Sequence, residues 1–188
     1  MEHTVVNRNK PGHDVSGDTY VFYQDDDHTL VAVIDGLGSG KAAHKAATKA
    51  RICVAANPTA ALLDILRACH KALRGTRGAV MMVMRIDRAK ETVSFTGVGN
   101  IGVRVISTTP IRPISRNGIV GFRMSNIKVF NYPYVKGDVF ILHSDGISSR
   151  FTVDEKWIRD QRSDLHEIAT EIADEFGKKD DLIVVITR

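Results

Sequence analysis

Four acidic positions share one local arrangement. Asp18 closes the tripeptide Ser16-Gly17-Asp18 immediately before the run Thr19–Tyr23. Asp35 ends the apolar stretch Leu30-Val31-Ala32-Val33-Ile34 and is followed by Gly36, and Asp145 ends Val139–Ser144 and is followed by Gly146. Asp180 and Asp181 stand just ahead of Leu182–Ile186. Carboxylates at the mouths of buried strands are held by rigid elements and can converge at one edge of a sheet pair. Converging carboxylates repel one another unless positive charge sits among them. A donor set of Asp oxygens, backbone carbonyls and water suits hard cations such as Mg²⁺ and Mn²⁺. A single Asp-Gly reads as an ordinary turn; four carboxylate sites at strand mouths, two of them opening on glycine, point to a metal centre. The two glycines read as permitting tight turns, with the Gly36 carbonyl in reach of a metal.

Other chemistries find little support. The seven histidines show no HxH or HExxH spacing, and His143, alternating with apolar neighbours, reads as a strand residue rather than a base. Cys53 and Cys69 form no CxxC and lack a nearby histidine at metal spacing, so zinc is disfavoured and both read as reduced core thiols. Gly36-Leu37-Gly38-Ser39-Gly40-Lys41 imitates a phosphate-binding loop. It is one residue short of GxxxxGK[ST], and Ala42 stands where the metal-binding hydroxyl belongs. Ser39 and Ser144 lack a GxSxG elbow. Arg112, Arg116 and Arg123 read as a solvated face.

The elements that must position the acids follow from periodicity. Strands are expected over Thr19–Tyr23 and Thr29–Ile34, joined by the acidic turn Gln24–His28. Ala43, Ala46, Ala47, Ala50 and Val54 recur at helical spacing and form a narrow stripe of small side chains, which would let a helix approach a sheet closely. Asn57-Pro58 predicts the cap of a second helix, carrying Leu62, Leu66, Cys69 and Leu73 on one face and ending near Gly75. Further strands are expected at Ala79–Ile86, Thr92–Val98, Gly102–Ile106, Ile111–Ile114, Asn126–Tyr132 and Val139–His143. A last helix is expected over Ser163–Phe176, and a closing strand over Leu182–Ile186. Two groups of helices around a block of meandering strands favour an α+β domain, with helices covering antiparallel sheets, over βαβ units.

Composition sets the bounds. The 188 residues, 43% hydrophobic and 26% charged, are ordinary globular usage and predict one domain over 1–188. The net charge of +4 invites a nucleic-acid reading, but scattered basic residues and 6% aromatics give no stacking platform. No apolar run approaches the length of a membrane span and the first residues lack a signal-peptide core, so a cytoplasmic protein without membrane contact is expected.

Taken in order, SGD (16–18), AVIDGLGSGKAA (32–43), RGAVMMVMRI (77–86), GVGNIGVRVI (97–106), KGDVFILHSDGI (136–147) and KKDDLIVVI (178–186) resemble the PPM-type metal-dependent Ser/Thr protein phosphatases. DGLGSG before an Ala-rich helix, GVGNI and KDDL are similar to the SpoIIE-like bacterial branch, and within it to the stand-alone stressosome phosphatases. The resemblance covers nearly the whole chain. It implies a four-layer α-β-β-α sandwich of two antiparallel sheets flanked by helices. It also implies two Mn²⁺ or Mg²⁺ ions and hydrolysis of phosphoserine or phosphothreonine by a metal-activated water, with no protein nucleophile.

Carried over residue by residue, the resemblance implies that Asp18 binds one metal, Asp35 bridges two, the Gly36 carbonyl binds the second, and Asp145 and Asp180 complete the cluster. Asp181 takes the place where relatives often carry Asn. The implied partners are phosphorylated stressosome proteins of the RsbS- and RsbR-like STAS-domain kind. Three positions depart from the wider family: Leu37 replaces a histidine thought to act as general acid, Lys10 and His13 lie where an arginine grips phosphate, and Gly99-Asn100 replaces a Gly-Asp tied to a third metal. The rival readings are a catalytically silent phosphoprotein-binding scaffold of the same fold and, on net charge alone, a nucleic-acid-binding domain.

Overall fold

The computed structural model describes residues 1–124 and 126–188. Its nine strands and four helices run β1 (His3–Arg8), β2 (Asp18–Gln24), β3 (His28–Gly36), α1 (Gly40–Ala55), α2 (Leu62–Ala72), β4 (Ala79–Asp87), β5 (Thr92–Val98), β6 (Gly102–Ile106), β7 (Phe130–Pro133), β8 (Val139–His143), α3 (Glu155–Arg159), α4 (Leu165–Phe176) and β9 (Leu182–Thr187). They form two antiparallel sheets, ordered β1-β9-β8-β6 and β2-β3-β4-β5-β7.

The continuous apolar runs are explained by burial on both faces. On β3, Leu30, Ala32 and Ile34 pack under α1 and α2, whereas Val31 and Val33 face the opposite sheet. β9 repeats the pattern. Leu182, Val184 and Ile186 meet α4, while Ile183 and Val185 join Phe140 and Leu142 in the layer between the sheets. The result is an α+β sandwich of four layers, helix-sheet-sheet-helix, as expected. Among the described residues no helix is long and apolar enough to cross a membrane.

The alanine stripe on α1 is buried throughout, and it does bring the helix close: a Cβ at Gly36 would overlap the Ala43 carbonyl oxygen. A Cβ at Gly146 would likewise overlap the Asp181 carbonyl oxygen. These two glycines are therefore required by close backbone approach rather than by the tight turn their sequence context suggests; neither has the positive φ that glycine alone tolerates.

Several expectations differ from the structure. Asn57-Pro58 does not cap α2, which starts at Leu62 behind Ala61. The carbonyls of Pro58 and Ala60 instead both accept from Arg85 Nη2 at 2.7 Å, pinning this stretch as a loop. Residues 111–114 form no strand, since Pro110 just before the segment and Pro113 within it remove ladder donors. The strand expected over 126–132 is shorter and later, Phe130–Pro133. β1 and α3 were not anticipated.

Candidate active site

The strand mouths converge. Asp18 opens β2 and Asp35 lies near the end of β3, directly opposite one another in the ladder. Asp145 follows β8, and Asp180 and Asp181 precede β9, the neighbour of β8 in the other sheet. All five carboxylates line one cavity of about 400 Å³, together with Lys10, Gly38, Ser39 and Asn100. The edge where the two sheets meet thus collects every acid that the strand-mouth pattern singles out.

Their environments differ. Asp18 is 4% exposed and its Oδ2 has no hydrogen-bond partner. Loss of hydration, opposed by a hydrogen bond from Ser144 and reinforced by the charges of Asp181, Asp145 and Asp180, pushes its carboxyl up to about 7. The same desolvation, followed by Asp18 and the other three acids, pushes Asp35 up to about 8. Both shifts report burial first and the negative charge of neighbouring acids second. Ser144 is fully buried and its hydroxyl accepts from the Ile183 backbone N–H at 3.1 Å.

The adjacent acids are unequal. Asp180 is half exposed; its Oδ1 lies 3.2 Å from Lys10 Nζ and accepts from the Asp181 N–H. Asp181 is 6% exposed, accepts from the Lys10 backbone N–H at 2.8 Å through Oδ1, and leaves a buried Oδ2 without a partner. A Cβ built on Gly17 would lie 3.0 Å from that Oδ2 and 3.4 Å from the Gly36 carbonyl oxygen, so these two acceptors border the same small space. The family resemblance assigns Asp180 and not Asp181 to the cluster; adjacency in sequence carries no signal of which carboxylate turns inward.

Further residues join the site that spacing alone did not identify. Asn100 Nδ2 donates to Asp145 Oδ2 at 2.8 Å, fixing that carboxylate from the neighbouring turn. The Arg77 guanidinium takes the space that a Cβ on Gly38 would need, and the φ of +92° at Gly38 independently favours glycine there. Lys178 Nζ donates to the Asp145 carbonyl. His143 stays outside the cavity: buried in β8, with Nδ1 against the Ser144 carbonyl and its ring edge-on to Phe151, it is held below its ordinary range chiefly by desolvation. It is a strand residue, as expected.

A hard divalent cation fits this donor set. Two carboxylate oxygens, those of Asp18 and Asp181, are buried without any hydrogen bond, which costs several kcal/mol unless a cation or proton compensates. The lining holds no cysteine or histidine. Among the described residues no three His, Cys, Asp or Glu side chains crowd onto one point closely enough to hold an ion unaided. Backbone carbonyl and water would complete any such shell, as hard cations accept.

Comparison with known proteins points the same way. The sequence profile of the Stage II sporulation protein E (SpoIIE) family matches residues 25–188. Phosphoserine phosphatase RsbX of Bacillus subtilis (strain 168) is 29% identical over 148 residues, 77% of this chain and 73% of that protein. A chain solved in work on the bacterial stressosome as a modular system adapted to control secondary messenger signalling superposes with a TM-score of 0.91. It is 32% identical, over 98% of this chain and 97% of its own. RsbX crystallised in complex with magnesium superposes with a TM-score of 0.84 at 26% identity, over 98% and 92% of the two chains.

Proposed function

The chain belongs to the SpoIIE family, and from that premise we propose that it is a Mn²⁺- or Mg²⁺-dependent protein phosphatase acting on phosphoserine and phosphothreonine. Its substrates on this reading are phosphorylated stressosome proteins of the RsbS/RsbR-like STAS kind, and residues 1–188 work as one cytoplasmic phosphatase unit. The observation that carries the reading is the convergence of five carboxylates on one cavity, two with buried oxygens that nothing in the protein satisfies.

Asp18, Asp35, Asp145, Asp180 and the Gly36 carbonyl would hold two cations, with the buried Oδ2 of Asp181 as a further donor. Bound there, the cations would supply Lewis acidity, neutralise phosphoryl charge and acidify a water. The protein's part is placement. Asn100 holds Asp145 from the side, so that carboxylate is set before substrate arrives. Lys10 lines the cavity and is the cation placed to meet phosphoryl oxygens, exchanging its contact to Asp180 for the substrate, while Arg77 packs against Gly38 of the lining. Leu37 lines the cavity where the wider family has a histidine, and with the carboxylates engaged by cations the leaving alkoxide takes its proton from solvent.

The test is release of phosphate from a phosphoserine peptide with Mn²⁺, Mg²⁺ or chelator. Activity dependent on the metal and lost in Asp35→Asn supports the reading, and undiminished activity in excess chelator overturns it.

A further inference from the structure

A second cavity, of about 620 Å³, begins where the carboxylate cavity ends: Asn100 and Asp145 line both. Its walls carry Arg104, Arg112 and Lys178. None of the salt bridges among the described residues uses any of the three. Two of these charges are held in place. Arg104 Nη1 donates to the Phe151 carbonyl at 2.8 Å with the guanidinium 5.4 Å above the Phe151 ring, and Lys178 donates to the Asp145 carbonyl. Arg112 is exposed, on a backbone anchored by Tyr132 Oη, which donates to the Arg112 carbonyl at 2.7 Å.

The positive wall has a plain origin in the sequence. Between Glu91 and Asp138 there are six basic residues and not one acidic residue. The whole chain nets only +4, so everything outside this segment is net negative. Two of the six, Arg104 and Arg112, line the groove, where Lys178 joins them from outside the segment. β6 is also the outer strand of its sheet, and Gly102–Val105 line the same groove, presenting strand-edge backbone along it. Fixed cations beside an apolar floor, which includes Ile111 and Phe151, suit an extended chain bearing carboxylates and attract it at long range.

We propose that this groove binds an acidic stretch of polypeptide flanking the phosphorylated residue, so that substrate choice depends on Asp and Glu near the phosphosite. The inference rests on the phosphatase reading and extends it to a substrate feature. A phosphoserine peptide flanked on both sides by Glu is then a better substrate than its Gln-flanked counterpart, by threefold to tenfold or so in kcat/KM, chiefly through KM and diminishing with added salt.

The experiment compares these two peptides and p-nitrophenyl phosphate on the wild type and Arg112→Glu, with Mn²⁺ present. The expected result is that Arg112→Glu abolishes or inverts the peptide preference while leaving p-nitrophenyl phosphate turnover unchanged, which also reports an intact fold. Equal kcat/KM for the two peptides in the wild type, or a preference retained in Arg112→Glu, overturns the groove and leaves the phosphatase reading standing. No turnover of any of the three substrates overturns the phosphatase reading and this inference with it.

Discussion

Asp18 and Asp35 stand directly opposite one another across the β2–β3 ladder. Directly opposed residues in an antiparallel pair hold their Cβ atoms about 5 Å apart, and like charges so placed are destabilising. A sheet that puts two acids there, largely buried, stores repulsion that folding alone does not relieve.

That repulsion has a pH signature. Burial, aided by neighbouring acids, raises Asp18 to about 7 and Asp35 to about 8, against about 3.9 for Asp in an unfolded chain. The metal-free folded protein therefore keeps protons that the unfolded chain releases. The stability linked to them is complete below about pH 4 and is lost as pH rises through 7 to 8. In chelator, the melting temperature should fall between pH 5 and 8.5, and Mn²⁺ should restore it most at the alkaline end. A flat profile contradicts this account of the cluster.

Asp35→Asn separates stability from activity. Removing one charge of the opposed pair should raise the melting temperature of the metal-free protein at pH 8 while weakening Mn²⁺ binding. The loss should reach at least about a hundredfold, the upper range for residues that merely support a ligand. A variant both less stable and unchanged in metal affinity, by thermal melts and titration calorimetry, would count against Asp35 as a ligand.

Asn100 offers a subtler case. Its amide fixes Asp145 Oδ2, so Asn100→Ala should cost about tenfold to a hundredfold in Mn²⁺ affinity with little change in melting temperature in chelator. Unaltered affinity shows the contact to be incidental.

Gly36→Ala should destabilise the protein by about 1–3 kcal/mol, as overpacking does in tight interiors, because a methyl there meets the Ala43 carbonyl. Chemical denaturation reads this directly. A variant as stable as wild type means that α1 is not pressed against β3 as described.

Asp35, Asp145 and the pair Asp180-Asp181 were legible in the sequence because they border runs buried on both faces, and Asp18 because it opens β2 opposite Asp35. The four layers were legible for a related reason: Leu30–Ile34 and Leu182–Ile186 lack alternation, so helices had to cover one face of each sheet. β1 was hidden because HTVVNR is a half-buried edge strand, defined by its pairing with β9 rather than by its own pattern. α3 is five residues long, too short for a helical period to register. The approach of Lys10 to the cavity, the packing of Arg77 on Gly38 and the inward turn of Asp181 depend on tertiary packing that local spacing does not encode. The basic groove had a sequence signal, the acid-free segment between Glu91 and Asp138, which only its position beside Asp145 makes meaningful.

The central claim is that the converging carboxylates run a metal-dependent phosphoester hydrolysis. Phosphate release from a phosphoserine peptide, measured for the wild type with Mn²⁺, the wild type in excess chelator, and Asp35→Asn with Mn²⁺, tests it most directly. The account predicts turnover in the first reaction only, with Asp35→Asn still folded by its melting curve. Equal turnover in all three would contradict it.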